Sequence, residues 1–327
     1  MKFAWIGHDK KPVKDPSTLG PYFDIYHKFV QNNYEYTTDL VEVSNLKFII
    51  VFDGKKKMIK KIKKKNINVK LFLIVTEPYH INNKPWSLNY RKEFQKVYAF
   101  STVWASELDG VSIPHPQNLS IRPSEEKNKN SINRLVYIGS NYYSFNHGQK
   151  YHLRRKVLNK LIQNGILVDI YGKNWNIPRC KEIFLFITGL LAMVKNRMKP
   201  DFNFSVLSHR VKHNSRGVVE DKHYTLNKYR FALIMENSDG YISEKIYDAL
   251  KAQCIPIYLG KGVPGRCITI SENVTSLEID KLKSMMHDEG EYSKVFKSIN
   301  YQINEVNEEN SYINVCNQLF QLIVDEL

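Results

Sequence analysis

The stretch Glu236-Asn-Ser-Asp-Gly-Tyr-Ile-Ser-Glu-Lys245 lies between two apolar runs, residues 231–235 and 255–259. Polar and charged side chains this dense, set between two pieces of core, have the types and spacing for anion chemistry. Ser243 is an N-cap residue with Glu244 and Lys245 in the first turn behind it. The unpaired amides and positive dipole end of such a helix favour an anion. Lys245 adds a full charge and Tyr241 a hydroxyl donor, so the loop suits phosphates without any glycine repeat. Glu244 does not belong in a pure phosphate site; a carboxylate there suits sugar hydroxyls or a developing positive charge. Simple capping is the alternative: Ser243 caps, Glu244 suits the dipole and Lys245 is solvated. The position of the whole loop between two buried strands favours function. A second acidic candidate is Glu77, in Thr-Glu-Pro just past the apolar run 69–75. A carboxyl group in an enclosed cleft has its pKa raised towards the range useful for a general base. His80 is the other candidate base, and a surface Glu before a proline turn is the plain alternative.

These groups need elements to hold them. Residues 2–7, 46–54, 69–78 and 96–102 are short apolar runs that end at polar, Gly or Pro residues, as buried strands do. Helix-like segments, including residues 21–32 and the lysine-rich run, fall between them. Residues 120–134 are polar and charged, with the character of a linker. The alternation then restarts with strand at 135–141, helix at 151–165 closed by Gly165, and strand at 166–172. Strand, helix and strand follow at 230–236, 243–253 and 255–260, and an amphipathic helix closes the chain at 312–327. This alternation predicts an α/β, GT-B-like fold: two Rossmann-like domains with mainly parallel sheets facing a central cleft. The expected domains are residues 1–119, a linker at 120–133, and a second domain at 134–327, with any acceptor on the first and the donor ligand on the second. Such sheets bind ligands at the carboxyl ends of their strands.

With 327 residues and 43% hydrophobic content, the chain suits two cores better than one. The four cysteines are scattered, with no Cys-x-x-Cys pair, and no His cluster has zinc spacing. With no signal-like leader at the N-terminus, the expectation is a reduced, cytoplasmic protein, with a peripheral place on the inner face of the membrane as the alternative that its basic and apolar segments raise. No apolar run reaches the roughly 20 residues that span a bilayer. The net charge of +15 admits nucleic acid, an anionic membrane or a phosphorylated ligand as partner. Against nucleic acid, the lysines are not interleaved with stacking aromatics, and no RNA- or DNA-binding signature is present.

The stretch from Leu226 to Gly260 resembles the signature of the α-1,3/4-fucosyltransferases, glycosyltransferase family 10. Tyr229, Phe231, Glu236, Asn237, Tyr241, Glu244, Lys245, Pro256 and Gly260 all match it. Ser243 stands where Thr is usual, Arg230 stands where Lys is usual, and the loop between Asn237 and Tyr241 is shorter than in many members. The resemblance implies an inverting GT-B enzyme that uses GDP-fucose as donor. Tyr241 and Lys245 then bind the diphosphate, Glu244 contacts the fucose and Asn237 lines the donor pocket; Glu236 and Ser243 are counted with the donor-binding residues. The family also has a diphosphate-binding arginine at the start of the donor domain's first helix; here it is Arg154 or, alternatively, Arg155. Glu77 takes the place of the catalytic base. The sequence has no Asp-x-Asp, and cations with a helix terminus can stabilise a leaving diphosphate instead. The expectation is therefore a metal-independent transferase with no cofactor, acting on a glycan acceptor in surface polysaccharide or glycoconjugate synthesis. The same scaffold with another nucleotide sugar is the alternative.

Two segments are left over. The run from Gly54 to Lys70 holds nine lysines and no acid. It is either a solvated outer helix docked by Met58, Ile59 and Ile62, or a lipid-facing surface from Lys55 to Lys65. The segment from Ile183 to Val194 is apolar between basic flanks. It is either a buried helix of the second domain or an element of the membrane interface beside a lipid-linked acceptor.

Overall fold

The computed structural model describes residues 1–327 except 8–10, 41–45, 54–55, 66–67, 118–130, 146–147, 197–207, 239, 241, 264 and 304–310. The chain divides into two compact units, Met1–Ser120 with Asn304–Leu327, and Ile121–Ile303. Among the described residues no helix is long and apolar enough to cross a membrane.

The first unit is a parallel sheet built from the apolar runs, which are buried on both faces as parallel strands between helices must be. Its strands are β1 (Lys2–Ile6), β2 (Glu35–Tyr36), β3 (Leu46–Phe52), β4 (Lys70–Val75), β5 (Lys96–Ala99) and β6 (Val111–Ser112). They lie in the order β2-β1-β3-β4-β5-β6, and every pair is parallel. The helices between these strands are α1 (Phe23–Gln31), α2 (Lys56–Lys65), α3 (Leu88–Arg91) and α4 (Thr102–Leu108). In α1, Ile25 and Phe29 face the sheet, and the Phe29 ring lies 5.1 Å from Phe3 and 5.0 Å from Phe48. In α2, Ile59 and Ile62 are buried while Lys60, Lys61, Lys64 and Lys65 are exposed, so the expected docking stripe is present.

The second unit restarts the pattern with β7 (Ile132–Ile138), α5 (Tyr151–Gln163), β8 (Val168–Tyr171) and α6 (Arg179–Asn196). It continues with α7 (Lys222–Asn227), β9 (Tyr229–Ile234), α8 (Glu244–Lys251), β10 (Ile255–Leu259), β11 (Ile268–Ile270), α9 (Ser276–His287) and α10 (Glu289–Ser298). The order is β11-β10-β9-β7-β8, all parallel. From β7 the chain winds outward through α5 to β8; from β9 it winds the other way through α8 to β10. The neighbours β7 and β9 thus form the switch point of the sheet, where a crevice opens at the carboxyl ends. Gly172 ends β8 at φ 139°, and a Cβ there would stand 2.4 Å from the Gly139 carbonyl oxygen, so the β7 and β8 exits run close together.

Two boundary expectations are corrected. The closing helix, α11 (Tyr312–Val324), belongs to the first unit, not to a domain running from 134 to 327. Its Val315, Cys316, Leu319 and Ile323 are fully buried, the last three in one cluster with Phe3, Phe29 and Phe48. The Phe320 ring packs at a tilt 4.9 Å from Phe29, and the Tyr98 hydroxyl donates to the Leu322 carbonyl at 3.2 Å. Amphipathic spacing shows that a helix must dock but not on which sheet. Most of the expected linker at 120–133 lies outside the described residues, and its last two residues, Ile132 and Asn133, begin β7. Leu319→Ala is expected to cost about 2–5 kcal/mol. Hydrogen exchange should place the loss on the amides of β1, β3 and α1, with those of β9 and β10 unchanged.

Candidate functional site

The carboxyl ends of β7 and β9 are tied together by one buried arginine. Arg154, in the first turn of α5, is 4% exposed. Its Nη1 donates to the Ser140 carbonyl, 3.3 Å away in the loop after β7, and its Nη2 donates to Asn237 Oδ1 in the loop after β9. The backbone joins in, since Lys150 N donates to Asn237 O at 3.1 Å. The guanidinium also lies 4.7 Å from the Tyr151 ring. Its buried Nε has no hydrogen-bond acceptor among the described residues, a donor that a ligand oxygen would satisfy.

Glu236 is the second knot. Its carboxylate is 5% exposed and accepts from Ser243 N at 2.9 Å and from Ser243 Oγ at 2.9 and 2.7 Å. Lys245 Nζ lies 2.6 Å from Oε2. Ser243 Oγ in turn accepts from Lys245 N at 3.4 Å and caps α8 as the sequence predicts. Glu236 is thus turned into the protein, holding the N-terminus of α8 and Lys245 in place. The same ion pair means that Lys245 is not the free solvated cation of the simple capping alternative; its side chain is 20% exposed. Glu244 is exposed, and its Oε1 lies 3.3 Å from Lys222 Nζ, which also reaches Asp248 Oδ2 at 2.5 Å. Burial works against the charge on Lys222, yet Asp248 and Glu244 outweigh it and raise its pKa. Tyr241, predicted as a phosphate ligand, lies outside the described residues.

The two candidate arginines of α5 part company. Arg155 is buried with Nη1 donating to Asn141 Oδ1 at 3.1 Å and to the Tyr142 carbonyl at 2.8 Å, and it packs 4.1 Å over the Tyr143 ring. Burial lowers its pKa to about 10. Tyr143 donates to buried Glu182 of α6, so Arg155 belongs to an internal network. Arg154 is the one turned to the loops after β7 and β9.

In the first unit, Glu77 stands half-buried just after β4, at the carboxyl end as expected. The loop that carries it is clamped by Asp53, which ends β3 at φ 50°. Thr76 Oγ1 donates to Asp53 Oδ2 at 2.5 Å, and Thr76 N lies 3.4 Å from Oδ1. Asn82 Nδ2 reaches the Asp53 carbonyl at 3.4 Å from the far side of the loop. His80, the alternative base, is 5% exposed and is not the ordinary surface histidine of a loop. The sequence reading missed Asp53, Thr76, Ser140 and Lys222. An Asp in Phe-Asp-Gly at a strand end was a usable signal for the first; the partners of Ser140 and Lys222 are too far off in sequence to suggest them. Among the described residues no group of three His, Cys, Asp or Glu side chains is placed to hold a metal ion.

The chain is an α/β protein of GT-B-like fold with two parallel sheets, the architecture of its structural neighbours. An alpha1,3-fucosyltransferase crystal structure superposes with a TM-score of 0.56 at 14% identity, covering 99% of this chain and 89% of that chain. An alpha1,3-fucosyltransferase solved with GDP-fucose gives 0.51 at 13% identity, over 99% and 90%. Anabaena HepE, solved in complex with UDP and glucose, gives 0.56 at 8% identity, over 99% and 100%. No curated protein matches the sequence. The family evidence comes from the sequence itself: residues 193–324 match the model described as Glycosyltransferase family 10 (fucosyltransferase) C-term. That segment contains the Glu236–Lys245 loop and α8, and it bears out the resemblance drawn from residues 226–260.

Glu236→Ala removes the acceptor of a half-buried ammonium and of the α8 cap together, and is expected to cost about 3 kcal/mol in chemical denaturation. Glu236→Gln keeps the acceptor for Ser243 and should recover part of that loss. A variant as stable as the wild type would show that Glu236 does not hold the loop.

Proposed function

We propose that the protein transfers L-fucose from GDP-fucose to a hydroxyl of a glycan acceptor, in α-1,3 or α-1,4 linkage, with inversion and without a metal ion. The observation that carries this reading is the gathering of Arg154, Lys245 and the N-terminus of α8 around the carboxyl ends of β7 and β9, in a chain whose residues 193–324 match family 10. Two cations and a helix terminus can take up the charge of a leaving diphosphate, which is the work a divalent ion does elsewhere. Tyr241 supplies a hydroxyl to the same diphosphate, and Asn237 and Ser243 line the donor pocket. Glu236 serves donor binding by holding Lys245 and the helix cap.

In the transfer, the acceptor oxygen bonds to the anomeric carbon as the bond from that carbon to the diphosphate breaks. GDP leaves with the electron pair, and Glu77 takes the acceptor's proton. Glu244, steadied by Lys222, faces the fucose and the positive charge that develops on it. Asp53 and Thr76 hold the Glu77 loop. The acceptor is a lipid-linked glycan of surface polysaccharide or glycoconjugate synthesis, and the enzyme works peripherally at the inner, anionic face of the membrane. A second donor reading is supported by HepE, a neighbour with UDP and glucose that fits the fold as well as the fucosyltransferase does.

Calorimetry in EDTA with GDP-fucose, GDP-mannose, UDP-galactose and CMP-sialic acid separates the readings. GDP-fucose should bind best; preference for another nucleotide sugar discards fucose, and binding of none sinks the transferase reading. Lys245→Ala should weaken donor binding about tenfold to a hundredfold, the value of a charge-assisted hydrogen bond. Glu77→Ala should abolish transfer and leave donor affinity unchanged. Normal transfer by that variant would remove Glu77 from the base role.

A further inference from the structure

Helix α6 packs one face on the second unit and, among the described residues, leaves an opposite, apolar face uncovered. Glu182, Phe186, Gly189 and Met193 recur at offsets of four, three and four, one side of a helix. Glu182 and Met193 are buried, and Glu182 accepts from the Tyr143 hydroxyl. The Phe186 ring meets Tyr143 at 5.9 Å and Phe145 at 4.8 Å. Gly189 lets the helix lie against the loop after β7, since a Cβ there would stand 2.5 Å from the Tyr143 carbonyl oxygen. This face anchors the helix to the second unit.

The other face carries Ile183, Phe184, Ile187, Leu191 and Val194, each between 43% and 64% exposed. Single exposed apolar residues are ordinary on a protein surface, but five in one stripe along three turns are not. The stripe holds no charge. Thr188, beside it, donates its hydroxyl to the Leu185 carbonyl at 2.9 Å, so covering the stripe would leave that group satisfied. The ends of the helix are basic: Arg179 and Lys181 are exposed at the start, and Lys195 falls in the last turn.

We propose that the exposed stripe of α6 lies in the interfacial layer of an anionic lipid membrane. Its apolar side chains enter the acyl boundary while Arg179 and Lys181 meet lipid phosphates. A helix with an apolar stripe and basic ends lies in the plane of such an interface. Charge decides against a second copy of the chain as occupant. The protein carries +15, so two stripes placed face to face would bring their basic ends together, whereas anionic lipid neutralises them. This inference deepens the proposed function by naming the surface that meets the membrane, and rests on that reading only for the lipid-linked acceptor.

Sedimentation of the full-length protein with vesicles tests it. Binding is expected to vesicles of phosphatidylcholine with phosphatidylglycerol, and not to phosphatidylcholine alone. The double variant Phe184→Ser with Leu191→Ser should bind at least about tenfold more weakly, as loss of two inserting side chains requires. Its melting temperature and GDP-fucose affinity should match the wild type. Phe184→Trp gives a second readout that needs no loss of function: its added emission should move to the blue with anionic vesicles. Unchanged vesicle binding by the double variant, or an added emission that stays put, would assign the contact to another surface and overturn the proposal. A wild-type dimer in lipid-free ultracentrifugation that the double variant breaks would overturn it in favour of a second copy. Vesicle binding by the stripe without GDP-fucose binding would leave the surface standing and remove the proposed function.

Discussion

The buried carboxylate of Glu236 is the constraint on which the donor side of the molecule depends. A carboxylate taken out of water must find compensation, and here one ammonium, one amide and one hydroxyl supply it, all from two residues at the start of α8, the cap Ser243 and Lys245. The requirement works in both directions. Glu236 cannot be buried unless α8 starts at Ser243, and Lys245 cannot be aimed at the strand end unless Glu236 draws it there. Polar groups that look like an intrusion into the core are therefore what sets the register of the helix that follows.

The same logic appears at the neighbouring strand and in the other unit. Arg154 links the exits of β7 and β9, so two loops that belong to opposite windings of the sheet are held as one surface. Asp53 holds both sides of the loop after β4, its carboxylate on Thr76 and its carbonyl on Asn82. In each case a single residue, on a helix for Arg154 and at a strand end for Asp53, fixes a loop that the sheet alone would leave undetermined. The strands supply position, and a few buried polar contacts supply orientation.

Much of this was legible in the sequence. The long strands β3, β4, β7, β9 and β10 were apparent because strands buried on both faces are continuous apolar runs, and Ser243 was apparent as a cap. The short edge strands β2, β6 and β11 were not, because two or three residues carry no period. The capping box of α9, Thr275 with Glu278, was a local signal that went unused. Arg154 and Arg155 are adjacent on one helix and equally basic; only their tertiary partners, Asn237 for one and the Tyr143 ring for the other, separate their roles. The apolar stretch of α6 was open between burial and exposure, and both occur on opposite sides of the same helix. Composition could not show that, since apart from Glu182 each side is uncharged.

The return of α11 to the first unit has a consequence for how the protein is made. The ribosome releases the sheet of the first unit early, but the residues that close its core, Cys316, Leu319 and Ile323, are synthesised after the whole of the second unit. The part of that core which α11 covers, beside Phe29, lacks its partner in the interval, while every strand of the second sheet has by then been made. Domains usually complete themselves in the order of synthesis. Here the order of synthesis is inverted: the last residues of the first unit are made after all of the second.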